Sequence, residues 1–121
     1  MPEDILIVDD NQWNLELVSN LLEANGFNVY TAETAERGIE LARERLPSLI
    51  LMDFELPGMN GAKAARILKA DPATQHLKII GLTIEAGAGT KIFDGLLEKP
   101  VDTRTFVASI RAFIAAPKKT P

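Results

Sequence analysis

Five residues stand out for the chemistry their side chains could perform together: Asp9, Asp10, Asp53, Thr83 and Lys99. Three are acids, one is a hydroxyl and one an ammonium. Two carboxylates about 4 Å apart repel by roughly 4 kcal/mol at an effective dielectric of 20. Acids gathered in one place must therefore take up a proton, bind a cation or pair with a lysine. With oxygen ligands and neither His nor Cys beside them, the cation of choice is a hard one, and magnesium is usual beside phosphate. The chemistry that fits is magnesium-assisted phosphoryl transfer to an aspartate. Asp53 is the best nucleophile, because it stands alone at the end of an apolar run. Asp9 and Asp10 would hold the metal, Thr83 could donate to one phosphoryl oxygen, and Lys99 could neutralise another. Phosphoryl transfer asks mainly for positioning and charge neutralisation, which such a set can supply.

The elements that must position these residues are legible around them. Ile5-Leu6-Ile7-Val8 runs into Asp9-Asp10, Leu49-Ile50-Leu51-Met52 into Asp53, Ile79-Ile80-Gly81-Leu82 into Thr83, and the shorter Leu96-Leu97 into Glu98-Lys99-Pro100. The first three runs are continuous rather than alternating, as strands buried on both faces of a parallel sheet are. Asn28-Val29-Tyr30-Thr31 alternates, as an edge strand would. Between the runs lie helical patterns. Gln12 to Asn25 carries Leu15, Val18, Leu21 and Leu22 on one face, with Gly26 as a stop. Thr34 can cap a helix whose buried stripe is Ala35, Ile39, Ala42 and Leu46, ended by Pro47. Asn60 can cap a short helix through Leu68, ended near Asp71-Pro72. Thr103 can cap a last helix with Phe106, Ile110, Phe113 and Ile114 at helical spacing. Strands alternating with helices predict a doubly wound α/β domain with a parallel sheet, whose ligands sit beyond the carboxyl ends of the strands. All five chemical residues fall at those ends.

Composition narrows the field. The chain has 121 residues, 46% of them hydrophobic and 25% charged, with a net charge of −4 and no cysteine. That length predicts one domain, residues 1–116, with a short tail at 117–121 and no fused output domain. The absence of Cys excludes disulfide scaffolds, zinc-thiolate sites and thiol catalysis. The acidic balance argues against direct binding of nucleic acid, and Lys118-Lys119 is too short for a basic patch. No apolar run approaches a membrane span and no signal peptide is evident, so a cytoplasmic location is expected. His76 reads as an exposed loop residue, Glu55 and Glu85 as solvated loop acids, and Trp13 as a ring packed in part against the sheet edge.

In these features the chain resembles a response-regulator receiver domain. The resemblance rests on Ile5-Leu6-Ile7-Val8 ending in Asp9-Asp10, on Asp53 with Leu56-Pro57-Gly58-Met59-Asn60-Gly61 behind it, on Leu82-Thr83, and on Lys99-Pro100. It covers nearly the whole chain. It implies a flavodoxin-like five-stranded sheet in the order 2-1-3-4-5 with five helices, and phosphorylation of Asp53 by a histidine kinase or a phosphotransfer protein. It implies a magnesium ion held by Asp10, Asp53 and the backbone carbonyl of Glu55, with Asp9 acting through the ion's water shell. It also implies a cis Lys99-Pro100 bond. A receiver is a signalling module rather than a turnover enzyme, expected as a monomer or weak dimer that acts on a further protein.

The chain departs from that pattern between Thr83 and Lys99. The interval is short and rich in glycine, so the fourth helix is expected to be truncated or replaced by a loop. Leu96 stands where receivers tend to carry Tyr or Phe, and Ile84 where a small residue is usual. A large Ile84 should narrow access to the phosphoryl group, and any readout would pass through the loop from Gly87 to Gly95 rather than through the usual Thr-to-aromatic switch. Two other readings compete. One is a pseudo-receiver that binds partners without phosphorylation. The other is a small phosphatase resembling haloacid dehalogenases, with Glu55 as its second acid, for which 121 residues leave no cap domain.

Overall fold

The strands come first, because their alternation decides which helix covers which face. In the computed structural model, which describes residues 3–84 and 90–117, five strands form one parallel sheet: β1 (Asp4–Val8), β2 (Asn28–Ala32), β3 (Leu49–Asp53), β4 (Ile79–Thr83) and β5 (Gly95–Glu98). Their order is β2-β1-β3-β4-β5. Successive side chains point to opposite faces. Leu6, Val8, Ile50, Met52 and Ile79 pack on one side with α2 (Ala35–Arg45) and α3 (Gly61–Ala70). Ile5, Ile7, Leu49, Leu51 and Leu82 pack on the other with α1 (Gln12–Ala24) and α4 (Phe106–Ala115). Both faces are therefore dry, which is why the central runs are continuously apolar, whereas β2 at the edge exposes Asn28 and Thr31.

Helix ends follow local chemistry. Asn11, Thr34 and Asn60 cap α1, α2 and α3, each accepting a main-chain N–H from three residues on. α1 stops in a Schellman turn: Gly26 takes φ +89°, its N–H donates to Glu23 O, and the Phe27 N–H donates to Leu22 O. Phe27 and Leu22 then pack in the same core. The Lys99-Pro100 bond is cis.

Three local expectations are corrected. Trp13 is 85% exposed. The buried stripe of α1 is Leu15, Val18 and Leu22, and Trp13 lies roughly 200° around the helix from Leu15. Leu46 is half exposed, because the chain turns left-handed there (φ 45°) to close α2 before Pro47, which takes it out of phase with the stripe. Thr103 does not cap α4. The carbonyl of Asp102 accepts from the Thr105 and Phe106 N–H groups, so residues 103–105 form a turn and the helix begins later, at Phe106.

Among the described residues there are four α-helices, and the stretch between β4 and β5 holds only a 3-10 turn, Thr90–Ile92. Residues 85–89, including Glu85, Gly87 and Gly89, lie outside the described residues, as do Lys118 and Lys119. What stands in for the fourth helix is a side-chain plug. Phe93 is buried against the open face of Gly81, where a Cβ would come within 2.7 Å of its ring. Its ring meets Phe54 edge-on at 6.2 Å. Asp94 then pins the segment: Oδ2 accepts from the Ile79 N–H at 2.8 Å and Oδ1 pairs with Lys69 Nζ at 2.9 Å.

Candidate functional site

The strand order reverses direction between β1 and β3: the chain leaves β1 for β2 on one side and β3 for β4 on the other. The crevice beyond the carboxyl ends of these strands is where an open α/β sheet places its ligands. Here β1 delivers Asp9 and Asp10, β3 ends on Asp53, β4 on Thr83, and β5 leads to Lys99. The five residues singled out in the sequence are thus brought to one rim. Asp10, Asp53, Thr83 and Lys99 line a cleft of about 180 Å³, joined by Asn11, Glu55 and Ile84. Asp9 lies beside them without solvent exposure, its Oδ2 3.4 Å from Lys99 Nζ. His76 is exposed, as expected.

The acids are held in register by backbone and cation. Lys99 Nζ is 2.8 Å from Asp53 Oδ2 and 3.4 Å from Asp9 Oδ2. The Glu55 N–H donates to Asp53 Oδ1 at 3.1 Å, and the Asn11 N–H donates to Asp9 Oδ1 at 2.9 Å. Lys99 is tied back to β4, its own N–H donating to Thr83 O at 2.9 Å. Burial pushes the Asp53 carboxyl up to about 6, the charge of Asp9 adds to the rise, and the hydrogen bonds from Lys99 and Glu55 limit it. Burial also works to lower the Lys99 ammonium, but its hydrogen bond to Asp53 and the charges of both acids outweigh this and hold it above its ordinary value. Asp53 is ionised at neutral pH yet more basic than a surface aspartate, which suits a nucleophile.

One carboxylate oxygen from each of Asp9, Asp10 and Asp53 lies within 4.8 Å of the others. At that spacing two ionised carboxylates repel by roughly 3–4 kcal/mol at an effective dielectric of 20. The single ammonium of Lys99 cannot neutralise three of them. The donor set is oxygen only, so the site fits a hard divalent cation rather than zinc or copper.

Two more residues belong to the site: Asn14, which the sequence does not single out, and Gly61, which it gives only as the end of the run behind Asp53. The side-chain amide of Asn14 donates to Asp9 Oδ2. Gly61 begins α3 directly behind Asp53: a Cβ built there would sit 2.1 Å from the Asp53 carbonyl oxygen. The local signal for Gly61 is its poor helix propensity just after the Asn60 cap, a cost that only a tertiary contact explains. Asn14 carries no comparable signal.

Nearly the whole chain is similar to known proteins. The family model of the response regulator receiver domain matches residues 5–111. The polar-differentiation response regulator DivK of Brucella anthropi is 32% identical over 120 residues, covering 94% of this chain and 98% of that protein. A putative response regulator from Chloroflexus aurantiacus superposes with a TM-score of 0.87 at 26% identity, over 96% of this chain and all (100%) of that one. The receiver domain of a sensor histidine kinase from Pseudomonas aeruginosa, solved with magnesium in its active-site cleft, superposes at 0.86 with 24% identity, over 96% of this chain and 100% of its own.

Proposed function

Because the chain belongs to the response-regulator receiver family, and so acts in two-component signalling with a histidine kinase as its partner, we propose that Asp53 is its phosphoryl acceptor. The observation that carries this is Lys99 Nζ at 2.8 Å from Asp53 Oδ2 beside an acid triad. The donor is a phosphohistidine of the kinase or of a phosphotransfer protein. An Asp53 carboxylate oxygen forms the new P–O bond as the donor's P–N bond breaks, and the imidazole leaves with the bonding pair.

Each neighbour has a part. The Glu55 N–H orients the carboxylate, Lys99 offsets charge on the incoming phosphoryl group, and Thr83 donates to one of its oxygens. Asp10, Asp53 and the carbonyl of Glu55 would hold a magnesium ion, with Asp9 acting through its water shell; the bound ion supplies charge neutralisation on the phosphoryl oxygens. The product is a changed surface, because an acyl phosphate of about −2 replaces a carboxylate of −1 and adds roughly one negative charge at the rim. Phe54, next to Asp53 and edge-on to Phe93, connects that rim to the plug between β4 and β5, where a downstream protein would read the change.

Incubation with magnesium and a small acyl phosphate, followed by intact-mass measurement, tests the reading. One phosphate-sized gain is expected in the wild type and none in Asp53→Asn. No gain in the wild type would favour a module that binds without phosphorylation.

A further inference from the structure

We infer that Asn14 is a positioning residue that sets how Lys99 divides between Asp9 and Asp53; the inference rests on the function proposed above. Asp9 has no solvent exposure, so its lone pairs must be met by protein donors or by ordered water. The Asn11 N–H meets Oδ1 at 2.9 Å, and the Asn14 amide meets Oδ2. A carboxylate only accepts, so the group facing it is Nδ2 of Asn14 and not its oxygen. The amide is itself anchored, because Asn14 is held in the first turn of α1 by its main-chain N–H, which donates to the capping oxygen of Asn11 at 3.1 Å.

Lys99 approaches the same Asp9 oxygen only to 3.4 Å, but reaches Asp53 Oδ2 at 2.8 Å. Both partners are carboxylates, so the type of group alone does not explain the preference. The difference is in the donors already present. Among the described residues, Asp9 has two neutral donors from the start of α1, whereas Asp53 has one, the Glu55 N–H. Removing the Asn14 amide leaves a buried carboxylate oxygen short of a donor. The Lys99 ammonium, on a flexible four-carbon stem, is the charged group placed to make up the loss. It would then swing toward Asp9 and away from the acceptor carboxylate. The bonds of Asn14 at the site go to Asn11 and Asp9, so its effect is exerted through Asp9 and Lys99.

The test compares wild type, Asn14→Leu, which keeps the size and removes the donor, and Asn14→His, which restores an N–H at comparable reach. Two readouts are taken: the Lys99 Nζ chemical shift without magnesium, and the phosphorylation rate with magnesium and a small acyl phosphate. In Asn14→Leu the Lys99 resonance is expected to move and the rate to fall about tenfold, with both largely restored in Asn14→His. A folded Asn14→Leu whose Lys99 resonance and rate match the wild type would overturn the inference, even if its melting temperature fell. Failure of Asn14→His to restore either readout would overturn it too. If the wild type itself gains no phosphate, the functional reading fails, and the Lys99 resonance still decides the role of Asn14.

Discussion

Substituting Gly61 by alanine sets two effects of opposite sign against each other. Alanine is favoured over glycine in a helix by up to about 1 kcal/mol, so propensity alone calls for a more stable protein. The structure calls for the reverse. The new Cβ would stand 2.1 Å from the Asp53 carbonyl oxygen and 3.0 Å from the Asp53 carbonyl carbon and Phe54 Cα. Ordinary contact begins at 3.4 Å, so α3 and the end of β3 would have to part by about 1.3 Å. Every one of those neighbours is backbone, and none can rotate away. Overpacking of this kind costs about 1–3 kcal/mol, enough to outweigh the propensity gain. The same movement breaks the Gly61 N–H to Phe54 O hydrogen bond and displaces the acceptor. A displacement of about 1 Å at reacting atoms can cost on the order of 100-fold in rate. Urea denaturation and phosphorylation by a small acyl phosphate check both arms. The expected variant is less stable by about 1–3 kcal/mol in urea and slow to gain phosphate. A Gly61→Ala protein as stable as the wild type, phosphorylated at the same rate, would refute this account of how β3 and α3 meet.

Three further outcomes follow from the same geometry. Lys78 Nζ donates to the carbonyls of Phe113, Ile114 and Ala116 at the end of α4, so Lys78→Met should lower stability by about 1–2 kcal/mol while leaving phosphorylation unchanged. Ile84, 72% exposed at the cleft mouth, should slow small donors sterically, and Ile84→Ala should take up phosphate several-fold faster by intact mass. Burial raises Asp53 from 3.8 to about 6, so without magnesium its contribution to stability is fully present below pH 3.8 and lost as pH rises through 6. Asp53→Asn should therefore gain on the wild type by about 2 kcal/mol between pH 4 and pH 7, measured by denaturant unfolding in chelator. Added magnesium should shrink that gap.

The sheet was readable because apolar runs buried on both faces leave the strand ends conspicuous. Asp9, Asp10, Asp53, Thr83 and Lys99 could be placed on one rim without knowing any contact. The shortened interval after β4 was readable from its glycines. Other features depend on packing that periodicity does not encode. Trp13 reads as a ring packed in part against the sheet edge but falls on the outer side of α1. Leu46 continues the stripe of α2 in sequence while its left-handed backbone takes it out of phase. α4 starts at Phe106 rather than just after Thr103, because the Asp102 carbonyl, not a Thr103 hydroxyl, receives the N–H groups there. Gly61 and Asn14 matter only once β3 meets α3 and β1 meets α1, and neither contact is local. Phe93 gives no sign that it will fill the space over Gly81 in place of a helix.

The central claim is that Asp53, among the acids of the rim, accepts the phosphoryl group. Reduction of the phosphorylated protein with borohydride converts an aspartyl phosphate to homoserine, and peptide mapping then reads its position. The account predicts homoserine at position 53 alone, formed only when magnesium and the acyl phosphate are both present. Homoserine at position 9 or 10, or none after a confirmed gain of phosphate, would contradict it.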